Sequence, residues 1–287
     1  MTQPNPYQFT SLEAVPLQNI LDAFNRAFVD YFVPIVFTLD QFRLKIDLED
    51  IQLKYSVGCF IHGQLIGFIL HGKRKLAGKT ILYNAGTGLL PEYRNKKLVR
   101  HMYNYFLTQP LTAGINKIEL EVITENIQAI RAYEHVGFLK KEIAIYYKIP
   151  VADKSNLINH QIFECLDDLC IDKREFWFKR PFWQNDLLGK YRDYPFYKCI
   201  AARSNNKIIG YAIINTDSNR IVQIATHKNY RRQGIASGLL DYLGKNYAHK
   251  LYFINVSEKN TKLIYFLVNQ GAQVYLRQYK MELVIKN

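Results

Sequence analysis

The chain has 287 residues, 38 Lys and Arg against 25 Asp and Glu, and a formal net charge of +13; hydrophobic residues make up 48% and charged residues 22%. That length is about twice a common domain, so two cores are expected, and the composition excludes disordered, collagen-like and disulfide-stapled classes. No apolar run approaches the roughly 18 residues a membrane span needs. Residues 1–11 carry no secretory h-region, so a cytoplasmic protein without membrane partners is expected.

In chain order, Leu17, Ile20, Leu21, Phe24, Ala27 and Phe28 share one face of a helix predicted over residues 17–31. Thr38-x-x-Gln41 reads as a capping box that starts a second helix. A hairpin follows, with strands at 55–61 and 65–70 about the turn His62-Gly63. The strand 81–90 then runs into the turn Pro91-Glu92-Tyr93-Arg94. Past a helix come the strand 117–123, Asn126, a helix closing at Gly137-Phe138, and the strand 143–149. After Pro150 the segment 156–169 reads as helical, and the hairpin recurs as 197–202 and 208–214 about Asn205-Asn206, before the strand 221–226.

The order strand, basic turn, helix, strand, Asn, helix, Gly, strand is thus used twice, which marks a duplication. Tyr93-Arg94-Asn95-Lys96-Lys97-Leu98-Val99 in the first half answers to Tyr230-Arg231-Arg232-Gln233-Gly234-Ile235-Ala236 in the second. Asn126 and Asn260 stand at equal distances before the closing Gly137 and Gly271. Two domains, 1–150 and 151–287, are expected, each a mixed α/β layer and not a doubly wound parallel sheet. Residues 1–150 hold 17 basic and 13 acidic side chains, and residues 151–287 hold 21 and 12, so most of the basic excess lies in the second half. Cys59, Cys165, Cys170 and Cys199 form no CxxC pair or zinc spacing, so no metal is expected and the thiols read as buried.

The turn Arg231-x-x-Gly234-x-Ala236 joins a strand to a helix. The first amides of a helix have no intrahelical partner and carry partial positive charge, so a phosphate fits there. Gly234 lets the backbone approach closely, and Ala236 keeps the first turn clear. This turn, with Glu121-Val122-x-x-x-Asn126-x-x-Ala129-x-x-x-Tyr133-x-x-x-Gly137-Phe138 in the first half, resembles the GNAT superfamily of acyl-CoA-dependent N-acetyltransferases, in tandem. The resemblance covers nearly the whole chain and is weakest at 1–50 and 151–195.

It implies, for each domain, an α+β fold whose mostly antiparallel sheet has one splayed parallel strand pair flanked by helices. It implies acetyl-CoA as co-substrate, its pyrophosphate at the turn and its pantetheine along a bulged strand, here 85–90 and 223–226. The donor-binding residues implied are Arg231, Arg232, Gln233, Gly234, Ile235 and Ala236 with Ala225 and Asn260. In the first domain they are Arg94, Asn95, Lys96, Lys97 and Val99 with Leu89 and Asn126. Each half departs from the pattern once: Lys97 and Val99 replace the small residues of the first turn, and Leu267 stands where the second domain would carry the counterpart of Tyr133.

The chemistry implied is direct attack of a neutral amine on the thioester, with Glu119 or Glu121 as base. Tyr133 is the acid beside the leaving sulfur, and strand amides hold the oxyanion. The acceptor expected is a small-molecule or peptide amine, with Asp30 and Tyr31 as candidates near its pocket. Plainer roles stand beside these: Tyr133 as a core aromatic, Asn126 as a helix cap, and Glu119 and Glu121 as solvated carboxylates. A non-catalytic acyl-CoA-binding module is the alternative reading. A basic nucleic-acid binder built on the aromatic and basic run 173–183 is the third, and nucleic acid is not the expected partner. The aromatics around Trp177 leave a homodimer contact open.

Overall fold

The structure is a computed structural model that describes residues 6–33, 35–150, 160–165, 171–187 and 189–285. The elements begin β1 (Gln8–Ser11), α1 (Leu17–Ala27), α2 (Leu39–Leu48), β2 (Val57–Ile61), β3 (Gln64–Leu76), β4 (Lys79–Leu89), α3 (Leu98–Leu107), β5 (Ile115–Ile123), α4 (Ile127–Val136) and β6 (Leu139–Pro150). They continue β7 (Gln161–Glu164), β8 (Tyr197–Ser204), β9 (Lys207–Asn215), β10 (Arg220–Thr226), α5 (Ile235–Asn246), β11 (Lys250–Ser257), α6 (Thr261–Asn269) and β12 (Gln273–Val284). No helix among the described residues is long and apolar enough to cross a membrane.

The chain forms two compact units, Met1–Lys141 with Tyr279–Asn287, and Glu142–Gln278. The sequence places a single boundary at Pro150; the chain instead leaves unit 1 inside β6 and returns to it inside β12. Hydrophobic patterning identifies both strands but carries no information on which sheet edge each one joins.

Unit 1 has the strand order β1-β2-β3-β4-β5, followed by the end of β12. β1 with β2, β2 with β3 and β3 with β4 pair antiparallel, and β4 with β5 pairs parallel. Alternation along β3 sends Phe68 and Leu70 to one face, where Ile20, Phe24 and Phe42 of α1 and α2 cover them. Ile69 goes to the other, among Met102, Tyr103 and Phe106 of α3 and Ile130 of α4. Each such side chain, fully buried, contributes about 1.5–3 kcal/mol. Helix α1 stops at Ala27, short of the expected residue 31. The capping box at α2 is present, with Gln41 N–H donating to Thr38 Oγ1 and Thr38 N–H to Gln41 Oε1.

Unit 2 has the order β6-β11-β10-β9-β8-β7, with β10 and β11 parallel and the other resolved pairs antiparallel. Leu239, Leu240 and Leu243 of α5 and Leu267 of α6 cover Ile221 and Phe253 on one face. Of the expected helix 156–169, the described residues Gln161–Glu164 form a strand on β8; residues 156–159 and 166–169 lie outside the described residues. The aromatic and basic run 173–183 begins in one short 3-10 turn, Lys173–Glu175, ends in another, Trp183–Asn185, and buries Phe176, Phe182 and Trp183.

Two irregularities shape the sites. Pairing of β4 with β5 ends at Tyr83↔Glu119, and that of β10 with β11 at Ile221↔Phe253, so each parallel pair opens toward its C-terminal end. Just beyond, Ala85 is skipped in the ladder between Leu70↔Gly86 and His71↔Asn84, and Val222 between Ile221↔Ile214 and Gln223↔Ile213. These are bulges at the mouth of each opening.

Candidate active site

The basic turns of the two units share one backbone. Arg94 (φ −67°) and Arg231 (φ −68°) are extended. Asn95 (φ 63°) and Arg232 (φ 65°) are left-handed. So are Lys97 (φ 57°) and Gly234 (φ 77°), the caps of α3 and α5. This alternation turns successive amides outward into a concavity suited to an anion. Lys97 adopts it despite its Cβ, so the first turn keeps the amide arrangement at the cost of strain.

The arginines do something other than hold phosphate. Arg94 Nε donates to Leu89 O (3.4 Å) and Nη2 to Ala27 O (3.0 Å). Arg231 Nε donates likewise to Thr226 O (3.3 Å) and Nη2 to Phe176 O (3.0 Å). Each guanidinium thus pins the end of the bulged strand to the segment beside it. Arg94 is also bidentate to Asp30, at 2.6 and 2.7 Å, and that hydrogen bonding holds the exposed Asp30 carboxyl below its ordinary range. Asp30 is therefore committed to the turn.

In unit 2 the opening widens into a cavity of about 970 Å³. Arg231, Arg232, Gly234, Ile235, Ala236, Ala225 and Asn260, all singled out in the sequence, line it. Gln233 is not among the lining residues. Phe176, Trp177, Phe178 and Phe182, from the aromatic and basic run 173–183, form an aromatic wall. Lys179, Arg180, Lys228 and Lys262 join the two arginines, whereas no Asp, Glu or His among the described residues lines the cavity. Lys179, Arg180 and Lys228 are paired with Glu142, Asp186 and Glu175, and the remaining excess from Arg231, Arg232 and Lys262 favours an anion. Trp177 Nε1 donates to the Tyr211 hydroxyl, Tyr211 to Gln223 Oε1, and Gln223 Nε2 to Asn185 O, at 2.8, 2.8 and 2.6 Å. Asn260 caps α6, accepting from Leu263 N–H at 3.4 Å.

The second opening has no acid or base at the two positions that matter. Counting back from the capping asparagines, Asn255 answers to Glu121, and it is a left-handed residue (φ 53°) that is 4% exposed. Leu267 answers to Tyr133 and is fully buried. The neighbouring Tyr265 points elsewhere: it is exposed, with the Arg232 guanidinium 5.1 Å from its ring centre.

In unit 1 the same positions carry chemistry. Glu121 lies on β5 two residues beyond the last pairing with β4, on the face of Glu119 and Lys117. The Tyr83 hydroxyl donates to Glu121 Oε2 at 2.6 Å. Burial pushes the Glu121 carboxyl up to about 7, reinforced by Glu119 and Glu49 and opposed by the Tyr83 hydrogen bond and Lys280. Glu119 behaves differently. Burial raises it, but Lys280 (3.1 Å) and Lys117 outweigh that and hold it below the usual carboxylate value.

Tyr133 on α4 is 8% exposed and edge-on to Phe138; burial pushes its hydroxyl up to about 12, with Thr87 and Asn84 of β4 acting in the opposite direction. Asn84 Nδ2 in turn donates to Thr87 Oγ1 (2.7 Å) and to the Tyr103 hydroxyl (2.9 Å). Glu121 alternates with Leu120 and Val122, which pack with α3 and α4. Base and tyrosine therefore flank the strand opening from opposite faces. Asn126 caps α4, accepting from Ala129 N–H at 3.1 Å, and burial raises the nearby Tyr31 hydroxyl while Asn126 acts in the opposite direction. Asn95 accepts from Gln128, Lys96 lies 5.0 Å from the Tyr93 ring centre, and Val99 and Leu89 pack against the α3 core.

Thr87 and Gln223 lie on the bulged strands 85–90 and 223–226 that the resemblance implied, whereas sequence reasoning missed Tyr83, Asn84 and Lys280 in unit 1 and Asn185 and Asn255 in unit 2. Only Asn255 had a signal, since the repeat register places it opposite Glu121. Cys59 and Cys199 are buried as expected, Cys165 is only half-buried at the end of the edge strand β7, and Cys170 lies outside the described residues. Among the described residues no cluster of His, Cys, Asp and Glu could hold a metal.

Comparison with known proteins follows this geometry. The tandem GNAT protein from the clavulanic acid biosynthesis pathway superposes with a TM-score of 0.71 at 11% identity, covering 98% of this chain and 99% of that one. The GCN5-related N-acetyltransferase from Sphaerobacter thermophilus gives 0.67 at 14% identity, covering 100% and 98%. The GCN5-related glucosamine N-acetyltransferase region of a fungal multi-domain GH3 β-N-acetylglucosaminidase gives 0.72 at 14% identity, covering 98% and 38%. At these identities the likeness is one of fold, and no curated protein matches the sequence. The profile of the acetyltransferase (GNAT) family, however, matches residues 17–138 and again 162–271. The chain therefore belongs to the GNAT acetyltransferase family, whose domain it carries twice.

Proposed function

We propose that the protein transfers the acetyl group of acetyl-CoA to a primary amine, and that the chemistry takes place in unit 1. The observation that carries this reading is Glu121, a carboxylate balanced near neutrality at the mouth of the opening between β4 and β5. An alkylammonium is only about one part in a thousand neutral at pH 7, so attack requires a base that is ionised at working pH and stronger than an ordinary carboxylate. Glu121 meets both conditions, while Glu119, neutralised by two lysines, does not. Glu119 is assigned to positioning.

Tyr133 stays protonated throughout the physiological range and donates a hydrogen bond to the leaving sulfur. A hydroxyl raised to about 12 is too weak an acid for full transfer before the bond breaks. The acetyl-CoA pyrophosphate sits at the outward amides of residues 95–98, which keep the family's backbone although Lys97 replaces glycine. Glu49, which helps to push Glu121 up, adds negative charge near the base and suits an acceptor that arrives as a cation.

For unit 2 the second reading is favoured: its cavity binds the same anionic donor without turnover. Asn255 and Leu267 hold the places of base and tyrosine, whereas the glycine turn and the ring of cations are intact. The test is calorimetric titration of the full chain with acetyl-CoA, combined with turnover on a panel of primary amines. Two sites are expected, and Glu121→Gln is expected to keep both and lose turnover. Wild-type turnover by that variant, or no binding of acetyl-CoA, overturns the proposal.

A further inference from the structure

We infer that Lys280, seven residues from the end of the chain, is a positioning residue for the base of unit 1, keeping Glu121 able to ionise. The inference rests on the reading of Glu121 as that base. The end of β12 lies beside β5 in unit 1, and its Lys280 and Glu282 meet Lys117 and Glu119 of β5 in one cluster. Lys280 Nζ is 3.1 Å from Glu119 Oε2 and 3.8 Å from Glu282 Oε1. Lys117 Nζ contacts Glu119 and stands 3.1 Å from Glu282. The side chains of Lys280 and Glu119 are 13% and 11% exposed, so little solvent screens the cluster.

The groups that face Glu121 are Tyr83 from β4, Glu119 from its own strand, Glu49 from the end of α2 and Lys280 from β12. Two of these are anions, Glu49 paired with Lys45 at 2.7 Å and Glu119 with Lys117, and Tyr83 is neutral; Lys280 is the cation that acts on Glu121 itself. Burial and the two carboxylates drive Glu121 toward its neutral form, in which it cannot accept a proton. Lys280, by offsetting Glu119, leaves the carboxylate populated at neutral pH.

The experiment measures turnover of full-length protein against pH, with acetyl-CoA and the amine that the wild type uses. In Lys280→Met the half-maximal pH is expected to rise by about one unit, the effect of removing one nearby opposite charge. Turnover at pH 7 then falls about fivefold while the high-pH plateau is kept. Lys280→Arg is expected to restore the wild-type profile. Glu119→Gln, which removes an anion and releases Lys280, moves the midpoint the other way, and it serves as the test if Lys280→Met does not fold.

A Lys280→Met profile superimposable on wild type overturns the inference, as does a lowered plateau with an unmoved midpoint, which marks a merely structural lysine. A Glu119→Gln midpoint that fails to fall does the same. Glu121→Gln in the same series separates the two levels. If that variant turns over like wild type, the base itself is wrong. If it is inactive while Lys280→Met is unshifted, only the role of Lys280 is wrong.

Discussion

Replacing Glu121 by Gln should damage the enzyme and strengthen the protein at once. The isostere still accepts the Tyr83 hydrogen bond and fills the same space, but it neither ionises nor takes a proton. A carboxyl that titrates at 4.5 in an unfolded chain and near 7 in the folded one favours folding while protonated. Its contribution is whole below pH 4.5 and is lost as pH rises through 7. The difference of about 2.5 units corresponds to about 3 kcal/mol. Wild type should therefore weaken between pH 5 and pH 8 by an amount that the variant does not share. For a unit of this size the gap is on the order of 10 °C in Tm. Thermal unfolding of both proteins at pH 5 and pH 8, with turnover assayed in parallel, measures the two effects. Turnover should fall by about 10²–10⁴, as for loss of a general base. Parallel stability curves from pH 5 to pH 8 would refute the reasoning, because they would mean that Glu121 is ionised throughout and is no stronger a base than any carboxylate.

Three further substitutions probe the rest. Tyr133→Phe should lower kcat by about 10-fold to 100-fold with acetyl-CoA affinity within a factor of two; an unchanged kcat removes Tyr133 from the reaction. Gly234→Glu puts a carboxylate and a Cβ at a left-handed position beside the cation-lined cavity. It should abolish one of two acetyl-CoA sites with turnover kept, whereas loss of turnover would move catalysis to unit 2. Lys97→Gly relieves a left-handed lysine worth about 1–2 kcal/mol, offset by about 0.4–1 kcal/mol of unfolded-chain entropy. Stability should rise by up to about 1.6 kcal/mol in urea unfolding and unit 1 should bind acetyl-CoA more tightly, while a destabilised variant would show that Lys97 makes a stabilising contact.

How much was legible in the sequence depended on the range of the interaction. Capping boxes, hairpin turns and the left-handed Gly234 are local, and the pattern of a few residues sufficed for them. Glu121 was visible as one of a pair. What separates it from Glu119 is the company of Tyr83 and Lys280, the latter supplied from the far end of the chain. The opening of β4 from β5 and the bulge beside it were expected from the family resemblance, because no residue type in the strand announces them. The segment 156–169 misled because its described part alternates Ile162 and Phe163 within a short edge strand, where period alone does not separate helix from strand. The return of β12 to unit 1 was invisible, since a strand's sequence says that it pairs but not with what.

That return has a consequence for how the chain is made. During synthesis β5 is complete long before its neighbour, because residues 142–278 must be translated before 279–284 emerge. At about 5–20 residues per second that is roughly 7–30 s with one strand edge uncapped, and an uncapped edge invites pairing with other chains. Lys117, Glu119 and Glu121 stand along that edge, and three charges in five residues are a deterrent to such pairing. The residues proposed for proton transfer and its tuning are thus also sentries over a nascent sheet. They are relieved when Lys280 and Glu282 arrive, and a chain cut anywhere between the halves would leave them on guard indefinitely.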